Sequence, residues 1–269
     1  MAATALKAER APGSGPFRRL MIAAAVGATI WWAAVQCRVS LPELVAGAAK
    51  MVEVVGYFFP PDIRAFPALI HPAFETILLA AIATPFGVAL SLMFGLAAAK
   101  NVAPAWLRGP ARAVIAVERA LPELITLLLL VAALGVGTFP GVLALAIGSI
   151  GMLGRLFADA IEEIDARVLE SVESVGATRW QVIRHAVLPE VLPALLGSAL
   201  YRFDVNIRAS VILGAAGAGG MGEELFRSIS LLEYERASMA IIMTLALVFG
   251  AERLSDFVRR RILDGGRLA

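Results

Sequence analysis

Residues 170–193 read ESVESVGATRWQVIRHAVLPEVLP, a polar, charged interruption in an otherwise apolar chain. The stretch predicts two short helices with a break between them. Val168, Val172 and Val175 fall at i, i+4 and i+7, one face of a helix. Gly176 stops that helix, because glycine enters the left-handed conformation of a C-terminal cap without steric penalty. Thr178 and Gln181 then supply a Thr-x-x-Gln capping box that starts a second helix. Pro189 is expected to end it, since proline has no N–H for the helical ladder and disfavours helix at the residue before it. A helix–glycine–helix–Leu-Pro unit between two apolar spans is a rigid knob suited to docking in another protein.

The surrounding composition supports that setting. The 269 residues are 59% hydrophobic and 17% charged, with a mean hydropathy of +0.79. A soluble globular domain is about 45–50% apolar and about 25% charged, so the chain is read as a polytopic membrane protein. The net charge of +2 carries no nucleic-acid signal, because the basic residues cluster at the ends of apolar runs. One cysteine, Cys37, excludes an internal disulfide, and two histidines leave little for a zinc site.

Met1 to Phe17, with Lys7, Arg10 and a PGSGP cluster, is expected to be a disordered cytosolic tail. Arg18-Arg19 precede LMIAAAVGATIWWAAVQC, which at about 18 residues is long enough to span, with Trp31-Trp32 as interfacial anchors. A cleaved signal peptide shares the positive flank, but the length and the tryptophans favour an uncleaved span. Leu41 to Phe59, carrying Glu43, Lys50 and Glu53, predicts an amphipathic helix at the outer face. Further spans are expected over 72–99, kinked at Thr84-Pro85, over 113–134, over 142–161, from about Val191 onward, and over 239–254. Arginine and lysine at the loops place both termini, the Lys100–Arg112 turn and the 170–193 stretch inside. That topology needs an even number of spans, and about six fits.

The spacing Glu170-x-x-x-x-x-Gly176-Ala177, followed by Leu188-Pro189 and Pro193, resembles the EAA loop of ABC-importer permeases. Leu200 to Leu225, LYRFDVNIRASVILGAAGAGGMGEEL, is similar to the phosphonate-type branch, which imports phosphonate, phosphite or related phosphorus oxyanions. Ser171 and Val172 replace the two alanines after the glutamate, and Ala186 stands where a larger aliphatic residue is usual. The resemblance implies an all-α, type I ABC-importer permease fold over residues 18–269, with a coupling loop at 163–190. It also implies a bacterial inner-membrane location and a homodimer of this chain. Its partners would be two ATP-binding cassette subunits that hold the ATP and magnesium, and an extracytoplasmic binding protein. No cofactor is expected in the chain itself. By position, Glu170, Gly176, Ala177, Leu188 and Pro189 are the motif residues that would meet the ATPase. Glu173 is set among them, Glu170 is expected near the start of its helix, where the dipole favours a carboxylate, and Trp180 and Val182 offer apolar anchor area. An amphipathic helix resting on lipid headgroups is the plainer alternative.

Arg202, Asp204, Asn206 and Arg208 crowd one apolar span. A charge at the bilayer centre costs at least about 2.5–3.5 kcal/mol, so the cluster must face protein, water or a counter-ion. Asp204 and Arg208 are i, i+4 neighbours and are expected to pair, with Arg202 and Asn206 on a rotated face. Arg202 would then be the freer cation for an oxyanion in transit; the alternative is a structural ion pair, with Glu118 or Arg155 as partner. Glu118, Arg119, Arg155 and Asp159 are read as structural, near cytosolic ends where arginines snorkel.

Gly217-Ala-Gly219-Gly220-Met-Gly222 matches G-x-G-x-x-G in form, but no strand precedes it, and its small residues suit close packing or a hinge. Together with Glu223-Glu224 it is a candidate contact for a binding protein. The sequence contains no G-x-x-x-x-G-K-[S/T], so an ATP-driven motor would be a separate subunit. A second class, an intramembrane enzyme, needs a nucleophile and base or a metal at membrane depth. His71 at a span start and His185 in the loop are not placed for that.

Overall fold

The computed structural model of the chain describes residues 16–265. The tail expected at 1–17 lies outside them up to residue 15, and Pro16 and Phe17 already belong to the first helix. Contacts divide the chain into a unit up to Gly56 and a unit from Tyr57 onward. The first unit holds α1 (Pro16–Gln36), apolar enough to span, and nearly all of α2 (Leu41–Tyr57), a helix with no buried residue.

The second unit contains α3 (Phe66–Ala98), α4 (Ala105–Ala120), α5 (Glu123–Leu134) and α6 (Thr138–Glu162). The short helices α7 (Ala166–Glu173) and α8 (Arg179–Val182) follow, then α9 (Leu188–Leu213), α10 (Gly220–Ser230) and α11 (Tyr234–Gly265). Helix α3 has the residue distribution of a membrane protein rather than a soluble one. Ile70, Phe74, Leu78, Ile82 and Phe86, four apart, are exposed, whereas Ala73, Ala80, Ala83, Gly87, Ser91, Gly95 and Ala98 are buried. Lipid tails reward no inward sorting of large apolar groups, so small residues are placed where backbones approach closely. A Cβ on Gly95 would stand 2.8 Å from Phe157 Cβ of α6. Ser91 Oγ donates across the same seam to Ser149 O at 3.1 Å. The helix runs on through Thr84-Pro85, and the Thr84 hydroxyl donates to Ala80 O at 2.7 Å.

Among the described residues, five helices are long and apolar enough to cross a membrane. The span expected over 113–134 is instead two helices, α4 and α5. Pro122 forces Leu121 out of the helical region (φ −90°, ψ 125°), so α4 ends at Ala120 and α5 restarts at Glu123. Helices α3 and α6 run in the same direction. Ala99 packs with Phe157 and Ile161 at one end, and Lys100 N–H donates to Glu162 Oε1 at 2.9 Å. At the other end Leu79 shares a cluster with Ala144 and Leu145. The polar 170–193 stretch belongs to the first of these ends.

Candidate functional site

The loop begins with a cap that sequence reasoning passed over. Asp165 accepts from Arg167 N–H at 2.9 Å and starts α7. The Arg167 guanidinium also donates to both Asp165 oxygens and holds that carboxyl below the usual range. Glu170 therefore sits mid-helix and exposed, not in the first turn as expected; Asp165 occupies the position that the helix dipole favours. Helix α7 ends at Glu173, two residues earlier than the valine spacing predicts. Val168 and Val172 pack inward beside buried Leu169, while Val175 lies beyond the helix and is 82% exposed. Gly176 makes the break at φ +79°, and its N–H donates to Glu173 O at 2.9 Å.

The capping box forms as expected: Thr178 N–H donates to Gln181 Oε1 at 2.8 Å. Pro189 does not end the helix that follows. Leu188 N–H reaches back five residues to Ile183 O, a π turn over 183–187, and the chain runs on into α9 with Pro189 as its second residue. Proline supplies no N–H for the next α-type bond, so the ladder slips by one residue and re-forms, placing Pro189 in a first turn that tolerates it. Helix α9 accordingly starts at Leu188, three residues before the expected start near Val191.

These short helices are fused to the bundle. Leu169, Val182, Ala186, Val187, Val191 and Leu195 join Leu153, Phe157 and Ile161 of α6 in one buried cluster, with Ala177 packed on it. Val182 is thus core and not a contact residue, whereas Trp180 is 67% exposed. Glu173 and Arg179 line a hollow of about 230 Å³ together with Lys100 of the α3–α4 turn and Arg108 of α4. Glu170, Glu173 and Pro189 are exposed and Leu188 half-buried.

Within the spans the structure separates the four clustered residues. Asp204 and Arg208 pair at 2.6 Å, as their spacing predicts. Arg202 and Asn206 face the opposite way, into the protomer. Arg202 is not the free cation: it is 3% exposed, donates to Glu123 Oε1 at 2.6 Å and Ser149 Oγ at 2.9 Å, and approaches Leu145 O at 3.4 Å. Asn206, fully buried, donates to Thr84 Oγ1 at 3.0 Å. Glu123 reaches Arg202 across Gly148 of α6, where a Cβ would stand 2.8 Å from Glu123 Oε1, and Glu118 lies against Gly151 one turn on. Arg155 pairs with Asp159 at 2.8 Å, and Arg112 with Glu162 at 2.5 Å. Arg208, 46% exposed at the side chain, is the cation of the cluster that reaches the surface of the protomer.

Sequence reasoning missed Glu123 as the partner of Arg202, although a carboxylate at the head of a leucine run calls for one. It also missed the seating of α10. Met221 N–H donates to Thr76 Oγ1 at 2.8 Å and Gly220 N–H to Glu75 Oε2 at 3.0 Å, so α3 caps that helix. Glu224, expected at the surface, is buried and held by Arg227 and Arg236.

Among the described residues the chain is thus a helical bundle with a polar loop fused to two long helices and a charge pair at its surface, an architecture consistent with a membrane transport component. The family described as binding-protein-dependent transport system inner membrane component matches residues 91–264, and the chain belongs to it. It is 48% identical over 206 residues to the phosphate-import permease of Mycolicibacterium smegmatis, spanning 76% of this chain and 39% of that protein. A phosphite transport system permease of Stutzerimonas stutzeri is 38% identical over 218 residues, 81% of this chain and 79% of its own length. Among solved structures, the inward-facing MetNI methionine ABC transporter contains a chain with the same fold. Its TM-score is 0.65 at 22% identity, covering 75% of this chain and 99% of that one.

Proposed function

We propose that this chain is the membrane-spanning subunit of an ATP-driven importer of a phosphorus oxyanion: a phosphonate, phosphite or phosphate. Two copies would form the pathway, with two ATPase subunits at the 163–190 loop and a binding protein at the far end. Both termini would lie in the cytosol. ATP and magnesium would be held by the partners, since the sequence carries no phosphate-binding Walker loop. The observation that carries this reading is the single buried cluster joining α7, α8 and the π turn to α6 and α9, which makes a push on the loop a movement of two spans. Glu170, Glu173, Gly176, Ala177, Trp180, Leu188 and Pro189 form or shape the surface that the ATPase would grip, with Trp180 as its anchor.

The choice of oxyanion is supported by the names of both relatives and by Arg208, whose guanidinium suits such oxygens. Asp204 keeps that side chain in place, while Arg202 and Asn206 hold spans together behind it. The test is ATP-dependent uptake into proteoliposomes containing the whole complex and its binding protein. Phosphate, phosphite or methylphosphonate is expected to accumulate, and Arg208→Ala to reduce that accumulation at least about tenfold with assembly unchanged. Accumulation of none of the three would overturn the substrate class, and normal uptake by the variant would remove Arg208 from the pathway.

A further inference from the structure

The hollow between the polar loop and the start of α4 is short of negative charge. Lys100, Arg108 and Arg179 line it against one carboxylate, Glu173, with buried Leu169 and Val182 as its apolar wall. Its volume is about 230 Å³. Liquid water takes about 30 Å³ per molecule, so a tetrahedral oxyanion fits there together with some of its waters.

Arg108 is half-buried, yet its guanidinium makes no ion pair or hydrogen bond among the described residues. The Arg179 guanidinium and the Glu173 carboxylate, both exposed, are likewise unpaired among them. The nearby Glu162 is already shared, by Arg112 at 2.5 Å and by Lys100 at 3.5 Å. Helix α4 begins on the hollow at Ala105. Leu107 and Arg108 N–H turn back to Pro104 O, and no side chain caps the helix. Its dipole adds positive potential to that of the side chains.

Topology explains part of this. The positive-inside rule gathers lysine and arginine at cytosolic loops. It does not require that cations from two separate stretches line one hollow, or that a half-buried arginine go unpaired. A guanidinium partly withdrawn from water gains most from an acceptor with two or more oxygens. Basic hollows between helices at the cytosolic surface suit phosphorylated lipid headgroups, and a free phosphorus oxyanion offers the same chemistry. The placement gives such a ligand mechanical reach. Glu173 and Arg179 stand on either side of the break at Gly176, whereas Lys100 and Arg108 belong to the α3–α4 connection. An anion held by all three cations fastens the loop to that connection.

We propose that this hollow binds a phosphoryl or phosphonyl group, from an anionic phospholipid headgroup or a free phosphorus oxyanion, and so clamps the break at Gly176. The clamp's effect on force transmission rests on the importer reading above; the binding does not. The test uses the complete complex, without nucleotide, in nanodiscs of neutral phosphatidylcholine. Amide hydrogen exchange is followed over 100–108 and 173–183 while inorganic phosphate is added or phosphatidylglycerol replaces the neutral lipid. Exchange is expected to slow in both segments. Slowing by phosphate in neutral discs identifies the free oxyanion, and slowing by phosphatidylglycerol alone identifies the headgroup. Arg108→Gln, which removes no side-chain contact among the described residues, is expected to raise the half-saturating amount of the active ligand about tenfold. Glu173→Gln is expected to lower it about threefold, a shift of opposite sign that a damaged fold would not produce. Unchanged exchange with both ligands, or an Arg108→Gln complex that responds as wild type does, would overturn the site. A wild-type complex that takes up none of the three oxyanions would overturn the importer reading and leave the binding standing.

Discussion

The guanidinium of Arg202 directs its donors at Glu123, Ser149 and the Leu145 carbonyl, all within one protomer. Removing one member of a buried ion pair strands the other, at about 3–5 kcal/mol. Arg202→Met is therefore expected to lower the thermal unfolding midpoint of the detergent-solubilised complex sharply. The double variant Arg202→Met/Glu123→Gln should recover most of that loss, and uptake should recover with it. Recovery of stability without uptake would return Arg202 to the pathway. At this scale the i, i+4 rule made the Asp204–Arg208 pair legible in advance. Glu123 was not legible as a partner, because spacing within one helix says nothing about which other helix approaches. That approach depends on Gly148, whose missing side chain lets the carboxylate pass.

Among the elements, the loop shows best how local chemistry and packing divide the result. The capping box and the glycine break depend on neighbours in sequence, and both form where the sequence places them. The fate of Pro189 depends on the cluster around Val187 and Val191, which holds the chain helical while the hydrogen-bond ladder slips to a π turn. Val175 and Val182 exchange their expected roles for a related reason. Helix α7 stops two residues early, leaving Val175 outside, and the second helix turns Val182 into the core. Gly176→Val places a β-branched residue at φ +79°, a conformation costing roughly 1–2 kcal/mol for an L residue. The variant is expected to insert and bind the ATPase, yet to carry less substrate per ATP hydrolysed. An unchanged ratio of uptake to hydrolysis would show that the break does not transmit force.

For the molecule as a whole, apolar composition and basic loop ends were enough to anticipate a helical membrane bundle with its polar loop at one end. The broken span at Leu121-Pro122 was hidden, because hydropathy averages across a proline that the backbone cannot ignore. The small residues of α3 let it approach α6 closely, and the shared core of α6, α7 and α9 joins the polar loop to two long helices. The account stands on one contact. In a Cys37→Ser background, which removes the sole native cysteine, Trp180→Cys can be labelled with a thiol-linked benzophenone and irradiated in the intact complex. The account predicts an adduct with the ATPase subunit, formed by reagent applied from the cytosolic side; an adduct only with lipid or with the binding protein would contradict it.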